Sequence, residues 1–251
     1  MTLAGNESQQ ITPVVEDYLK AIYHLAQKND PVRTVALAAA LKLKPASVTA
    51  MLITLADLKL IRYKRYHGVT LTDAGAKVAL EVIRHHRLIE LYLVRALGFS
   101  WDEVHEEAEV LEHAISEKLE ARIAAWLGNP TLDPHGDPIP TLQGIVPEST
   151  SLSLADAPLK ERVRIVRVSN QDSERLRYLA GLKLVPGAAV RVMQRAPFEG
   201  PVTVRIGKDT HALDHGLARA LLVSRMQAGE NNEISRAAPV ISRRRQSAAR
   251  R

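Results

Sequence analysis

Cysteine is absent from the 251 residues. That excludes disulfides, thiolate-ligated zinc and cysteine nucleophiles together, and leaves carboxylate oxygen and imidazole nitrogen as the donors for any bound metal. Long apolar runs are missing too. None approaches the length a bilayer span needs, and residues 1–11 lack the basic-then-apolar order of a signal peptide. We therefore expect a cytoplasmic protein with no membrane partner. No internal repeat is visible.

What is present is enough to fold. With 46% hydrophobic residues the chain buries at least one substantial core and divides into two or three modest domains. The formal net charge of +6 points to a polyanion, but it is spread unevenly. Residues 226–251 carry six Arg against Glu230 and Glu233, in a composition that reads as a disordered basic tail. Residues 1–75 hold nine Lys/Arg against six Asp/Glu, and residues 76–128 hold six against ten. A basic module is followed by an acidic one.

The basic module opens with Thr12 and Pro13, a cap and a first-turn proline, after which Val15, Leu19, Ile22 and Leu25 recur at helical spacing to about Lys28. Thr34 can cap a short helix over 35–41, and Leu43-Lys44-Pro45 interrupts the pattern before a third helix over about 46–58. Two helices across a tight turn predict a helix-turn-helix. Residues 60–65 and 69–71 read as a hairpin turning at Tyr66-His67-Gly68, which would be a wing.

A long helix then runs to about Leu97 and stops at Gly98. Ser100-Trp101-Asp102-Glu103 has capping-box spacing for a helix to about His113, and another starts near Ser116 and stops at Gly128-Asn129-Pro130. The Pro- and Gly-rich stretch 131–159 reads as loop and linker. Beyond it, 163–168 and 202–206 alternate with period two around one helix, 172–182, as in a small β-barrel. The predicted fold is mainly α with β. Its parts are a winged helix-turn-helix domain at 1–75, a helical dimerisation and metal-binding domain at 76–140, a linker at 141–159, an SH3-like barrel at 160–225 and the tail.

The acidic module holds a metal-binding pattern. His86 with Glu90, and His105 with Glu109, are spaced i and i+4, so each pair presents an imidazole and a carboxylate on one helix face. Glu112 and His113 extend the second stripe, and Asp17 contributes only if the fold brings helix one close. The plainer reading is the solvated face of an acidic helix. For His24, His67, His85, His135, His211 and His215 we take an ordinary surface or core role.

The stretches Val14-Val15-Glu16-Asp17-Tyr18-Leu19-Lys20-Ala21-Ile22-Tyr23, Pro45-Ala46-Ser47-Val48-Thr49, Leu71-Thr72-Asp73-Ala74-Gly75, His86-Arg87-Leu88-Ile89-Glu90, Val104-His105-Glu106-Glu107-Ala108-Glu109-Val110-Leu111-Glu112-His113 and Asp137-Pro138-Ile139-Pro140 together resemble the diphtheria toxin repressor family of iron- and manganese-dependent regulators. Residues 160–225 resemble the SH3-like domain of its longer members. The resemblance implies a primary metal set of Asp17, Glu109, Glu112 and His113 and an ancillary set of His86, Glu90 and His105. A ligand from the third domain would come from Gln171, Asp172 or Glu174. Iron-responsive members tend to carry Met and Cys where this chain has Asp17 and Glu109, and hard oxygen ligands favour Mn²⁺ over Fe²⁺. Lys20 stands where short manganese regulators of the family use a Glu.

From these features we expect a repressor of metal-uptake genes that binds double-stranded operator DNA as a metal-loaded homodimer. The third helix would read the groove with Lys44, Ala46, Ser47, Thr49 and Ala50, while Arg62, Lys64 and Arg65 on the wing meet phosphates. Convergent carboxylates repel one another in the metal-free protein, and a cation reverses that. Two other readings stand beside this one. A helical di-metal carboxylate enzyme would use paired Glu-x-x-His motifs, but no His follows Glu90, Glu109 or Glu112 by three residues. A metal-independent winged-helix regulator would carry the acidic helix only as surface.

Overall fold

A computed structural model describes residues 11–147, 151–169 and 172–226. The basic tail from residue 227 and the candidate ligand Gln171 lie outside the described residues. Within these the chain forms two compact units, one drawn from Met1–His86, Leu111–Ser116 and Pro140–Val146, the other from Arg87–Val110, Glu117–Ile139 and Pro147–Arg251.

In the first unit α1 (Pro13–Ala26) begins as its sequence dictates, with the Thr12 hydroxyl accepting from the Val15 N–H at 3.4 Å. Val15, Tyr18, Leu19 and Ile22 line its buried face. Helix α2 (Thr34–Ala40) starts one residue earlier than its cap signal implies. Arg33 occupies the cap without a side-chain hydrogen bond, and Thr34 is the first helical residue rather than the cap. Helix α3 (Pro45–Asp57) follows at 109° to α2, within the range of helix-turn-helix motifs. Val48, Leu52 and Leu55 of α3 join Leu37 and Ala38 of α2 in one core with α1.

The wing is β1 (Ile61–Lys64) paired with β2 (Gly68–Leu71), antiparallel, Lys64 opposite Gly68. Gly68 has φ +108°, and a Cβ there would sit 2.6 Å from the Val32 carbonyl oxygen, so no other residue fits. At Gly75 a Cβ would lie 2.0 Å from the Leu60 carbonyl oxygen. Helix α4 (Asp73–Tyr92) therefore leaves the wing in close backbone contact. It ends in a π-turn, Leu93–Leu97, closed by Gly98 at φ +75°.

In the second unit come α5 (Val104–Leu111) and α6 (Glu117–Trp126). The Ser100 and Glu103 side chains hydrogen-bond each other at 2.5 Å. Helix α5 is shorter than its pattern implies: residues 112–114 form a turn. Glu112 and His113 thus leave the helical stripe of His105 and Glu109, and their segment packs with the first unit. Leu88, Leu91, Ile123, Ala124 and Leu127 form a small helical core.

The C-terminal part is a six-stranded antiparallel sheet of order β3-β8-β4-β5-β6-β7. Its strands are β3 (Leu152–Ser153), β4 (Arg162–Val168), β5 (Ala189–Arg195), β6 (Val202–Ile206), β7 (Asp209–Leu213) and β8 (Leu221–Arg225). Helices α7 (Ser173–Gly181) and α8 (His215–Ala220) accompany it. Strand β3 lies inside the stretch read as linker, because Leu154, Ala155 and Ala157 are core residues of this domain. Among the described residues no single helix is long and apolar enough to cross a membrane.

Candidate metal centre and DNA-reading helix

One turn of α1 and the turn after α5 build the first candidate centre. Asp17 is on the partly exposed side of α1, opposite Leu19 and Ile22, and the turn after α5 carries Glu112 and His113. Ligand atoms of Asp17, Glu112 and His113 lie within 4.8 Å of one another. The His113 ring binds at both nitrogens: Nδ1 to Glu16 Oε2 at 2.5 Å and Nε2 to Asp17 Oδ1 at 3.0 Å. Glu112 is buried, its side chain wholly shielded from solvent. Lys20 donates to both its oxygens at 2.8 Å, and His86 Nδ1 approaches Oε2 at 2.5 Å.

A buried carboxylate needs such partners, since an isolated one is too costly to keep charged. Glu16, Asp17 and Lys20 sit on one side of α1 because Lys20 follows Asp17 by three residues and Glu16 by four. His85 makes a ring contact with the Glu112 carbonyl oxygen at 3.2 Å, fixing the turn from beneath. Neither Glu16 nor Lys20 was among the predicted ligands.

Glu109 stays on α5, its Oε1 3.7 Å from Nε2 of His105. Glu90 is fully buried on α4, with Oε1 3.4 Å from His105 Nδ1 and 3.7 Å from His135 Nε2. His135, expected to have an ordinary surface or core role, is fully buried, its ring 5.5 Å from that of Trp101. A loop histidine has no periodicity to tie it to a helix glutamate, which is why sequence reasoning passed over it. Asp133, two residues away, accepts the N–H groups of His135 and Asp137. Burial, then the negative charges of Asp137 and Glu90, push its carboxyl well above the usual range. Arg87 offsets part of this at 3.8 Å from Asp133, and Arg167 pairs with Asp137 at 2.6 Å.

Asp172 is the N-cap of α7, accepting from the Arg175 N–H at 3.0 Å, and Glu174 is exposed in the first turn. Neither joins a group of converging donors among the described residues.

The predicted reading residues line up on α3. Lys44 caps it, and Lys44, Ala46, Ser47 and Ala50 are exposed while Val48 is buried. Thr49 turns its hydroxyl back to the Pro45 carbonyl at 2.9 Å. On the wing Arg62, Lys64 and Arg65 are exposed, and the Arg65 guanidinium lies over the Tyr66 ring at 5.1 Å.

Residues 10–69 match the family described as iron dependent repressor, N-terminal DNA binding domain. Residues 72–141 match its metal binding and dimerisation domain, and residues 152–225 match the FeoA domain. Iron-dependent repressor IdeR of Mycobacterium tuberculosis (strain ATCC 25618 / H37Rv) is 30% identical over 229 residues, covering 86% of this chain and 99% of that protein. The chain belongs to the diphtheria toxin repressor family.

This repressor is also 33% identical over 105 residues to the HTH-type transcriptional regulator MntR of Bacillus subtilis (strain 168), covering 42% of this chain and 73% of that one. Among solved structures, a manganese-dependent transcriptional repressor in complex with manganese superposes with TM-score 0.78 at 39% identity, covering 84% of this chain and all of that one. ScaR with bound Cd²⁺ gives 0.74 at 32%, covering 84% and 99%. The repressor is thus a metal-dependent transcriptional regulator with DNA-binding, dimerisation and FeoA domains, and the di-metal enzyme reading is set aside. Its donor groups fit a hard divalent cation: oxygen and imidazole nitrogen only, with one carboxylate fully buried.

Proposed function

We propose that this chain is a Mn²⁺-activated repressor of metal-uptake genes that grips operator DNA as a homodimer. The observation that carries the reading is the convergence of Asp17, Glu112 and His113 within 4.8 Å, in a chain without a sulfur donor apart from methionine. Asp17, Glu112 and His113 would hold the activating ion. His86, Glu90 and His105 would serve an ancillary one, with His135 beside Glu90.

A bound divalent cation supplies concentrated positive charge between carboxylates that otherwise repel. The residues themselves do the positioning. Asp17 belongs to α1, whose opposite side packs against α2 and α3, whereas Glu112 and His113 belong to the turn after α5. Ligation in common locks that turn to α1 and so fixes the body that presents α3. In a homodimer the placement of two such bodies must match one turn of DNA. Coupling of about 1 to 3 kcal/mol, usual for allosteric links, changes operator affinity by about 5- to 150-fold.

The carboxylates around this centre do not face one another without partners. Lys20 and His113 place positive or hydrogen-bonding groups among the carboxylates, so α1 and the turn are already in contact.

The test is binding of the chelator-stripped protein to DNA from its own upstream region, with and without micromolar Mn²⁺ or Fe²⁺, for wild type and Asp17→Ala. Metal-dependent binding lost in the variant supports the mechanism. Equal affinity without metal overturns it in favour of the metal-independent regulator.

A further inference from the structure

The strands of the FeoA domain carry a charge pattern that metal sensing does not use. Between residues 151 and 226 there are thirteen Lys/Arg against seven Asp/Glu. The three central strands β4 (RVRIVRV), β5 (AVRVMQR) and β6 (VTVRI) contain six arginines and no acid. Their register is specific. Arg162 on β4 lies opposite Arg191 on β5, and Arg191 lies opposite Arg205 on β6.

The alternate residues Val163, Ile165, Val190, Val192, Val202 and Val204 are buried in the domain core. The three arginines therefore stand side by side on the outer face, stepped by the strand spacing of roughly 4.8 Å. Arg164 lies on the same face two residues along β4. Neither Arg191 nor Arg205 has a carboxylate partner among the described residues. Like charges directly opposite in a sheet are destabilising, so this row works against the stability of the domain that bears it. Arg191 and Arg205 gain a counter-charge when a polyanion lies across them.

We infer that this arginine row is an accessory phosphate-binding surface that engages the backbone of duplex DNA. Guanidinium groups suit phosphate oxygens by their planar, two-pronged donor geometry. The inference rests on the operator-binding reading, because the DNA held by α3 is the polyanion at high local concentration. It adds sequence-independent, salt-sensitive contacts that the helix-turn-helix does not supply.

The test uses the full-length Mn²⁺-loaded protein, wild type, Arg191→Ser/Arg205→Ser and Arg191→Lys/Arg205→Lys, in operator binding from 50 to 200 mM salt. Two lost phosphate contacts should reduce the slope of log K against log salt by about 1.8 for each protomer that engages. The lysine variant should keep most of the slope, and the serine variant should unfold at or slightly above the wild-type temperature. An unchanged slope in a folded serine variant that still binds operator overturns the inference. So does salt-sensitive capture of poly-glutamate lost in the serine variant while the DNA slope holds, which would assign the face to an acidic protein. If wild type fails to bind operator, the operator-binding reading fails first and this one falls with it.

Discussion

Replacing Lys20 by Met separates the cost of holding Glu112 buried from the benefit of holding a metal there. Lys20 Nζ lies 2.8 Å from both Glu112 oxygens, with the lysine side chain 12% exposed and the glutamate 0%. Removing one partner of a buried pair costs about 3 to 5 kcal/mol, because the other charge is left without compensation. His86 remains at 2.5 Å, which places the metal-free loss near the lower end. At roughly 3 °C for each kcal/mol in a chain of this size, the unfolding temperature should fall by about 10 °C.

A cation bound at Glu112 competes with that ammonium. Hydrogen bonds to charged groups are worth about 1.5 to 3 kcal/mol, so the variant should bind Mn²⁺ about 10- to 100-fold more tightly. Calorimetric Mn²⁺ titration and thermal unfolding with and without chelator read both quantities. Mn²⁺ should restore most of the lost stability. A folded Lys20→Met protein with unchanged or weaker Mn²⁺ affinity would refute the idea that Lys20 and the metal share Glu112.

Gly75→Ala puts a Cβ 2.0 Å from the Leu60 carbonyl oxygen and should cost about 3 kcal/mol, the upper end for overpacking; a melting shift below 2 °C would contradict this. In the dimerisation domain Val110 is 74% exposed and Trp126 61%, so Val110→Lys should shift sedimentation from dimer toward monomer, and an intact dimer would exclude that surface from the interface. Asp133 binds its proton more tightly in the folded state than in the unfolded one. Stability of the chelated protein should therefore fall as pH rises from the ordinary carboxylate range through the raised value. Asp133→Asn should flatten that dependence, and equal pH slopes for the two proteins would speak against the burial argument.

Helices α1, α3 and α4 were legible because each is announced by local chemistry: Thr12 with Pro13, Pro45 before Val48, Leu52 and Leu55, Gly98 after a long apolar face. The wing glycine was legible for the same reason. What the sequence concealed were relations between distant segments. The i, i+4 pair of His105 and Glu109 is a property of one helix and was found. The separation of Glu112 and His113 from that stripe depends on α5 ending at Leu111, where neither glycine nor proline marks the stop. Asp133 and His135 meet Glu90 through tertiary packing of a loop, and the arginine row exists only in the strand register. Lys20 stands in sequence where a carboxylate is usual, but only the fold brings it to Glu112.

The segment Leu111–Ser116 sits with the DNA-binding unit while the helices on either side of it belong elsewhere. The proposed sensing residues and the reading helix are thus braided along the chain rather than strung in sequence. A graft of residues 1–75 onto another scaffold would carry the recognition helix and the wing but only Asp17 of the proposed primary set. Such a transplant inherits an address without its permission signal. On the proposed ligand set, recombination at the apparent module boundary would yield regulators deaf to metal, and the response would travel only with the first 116 residues together.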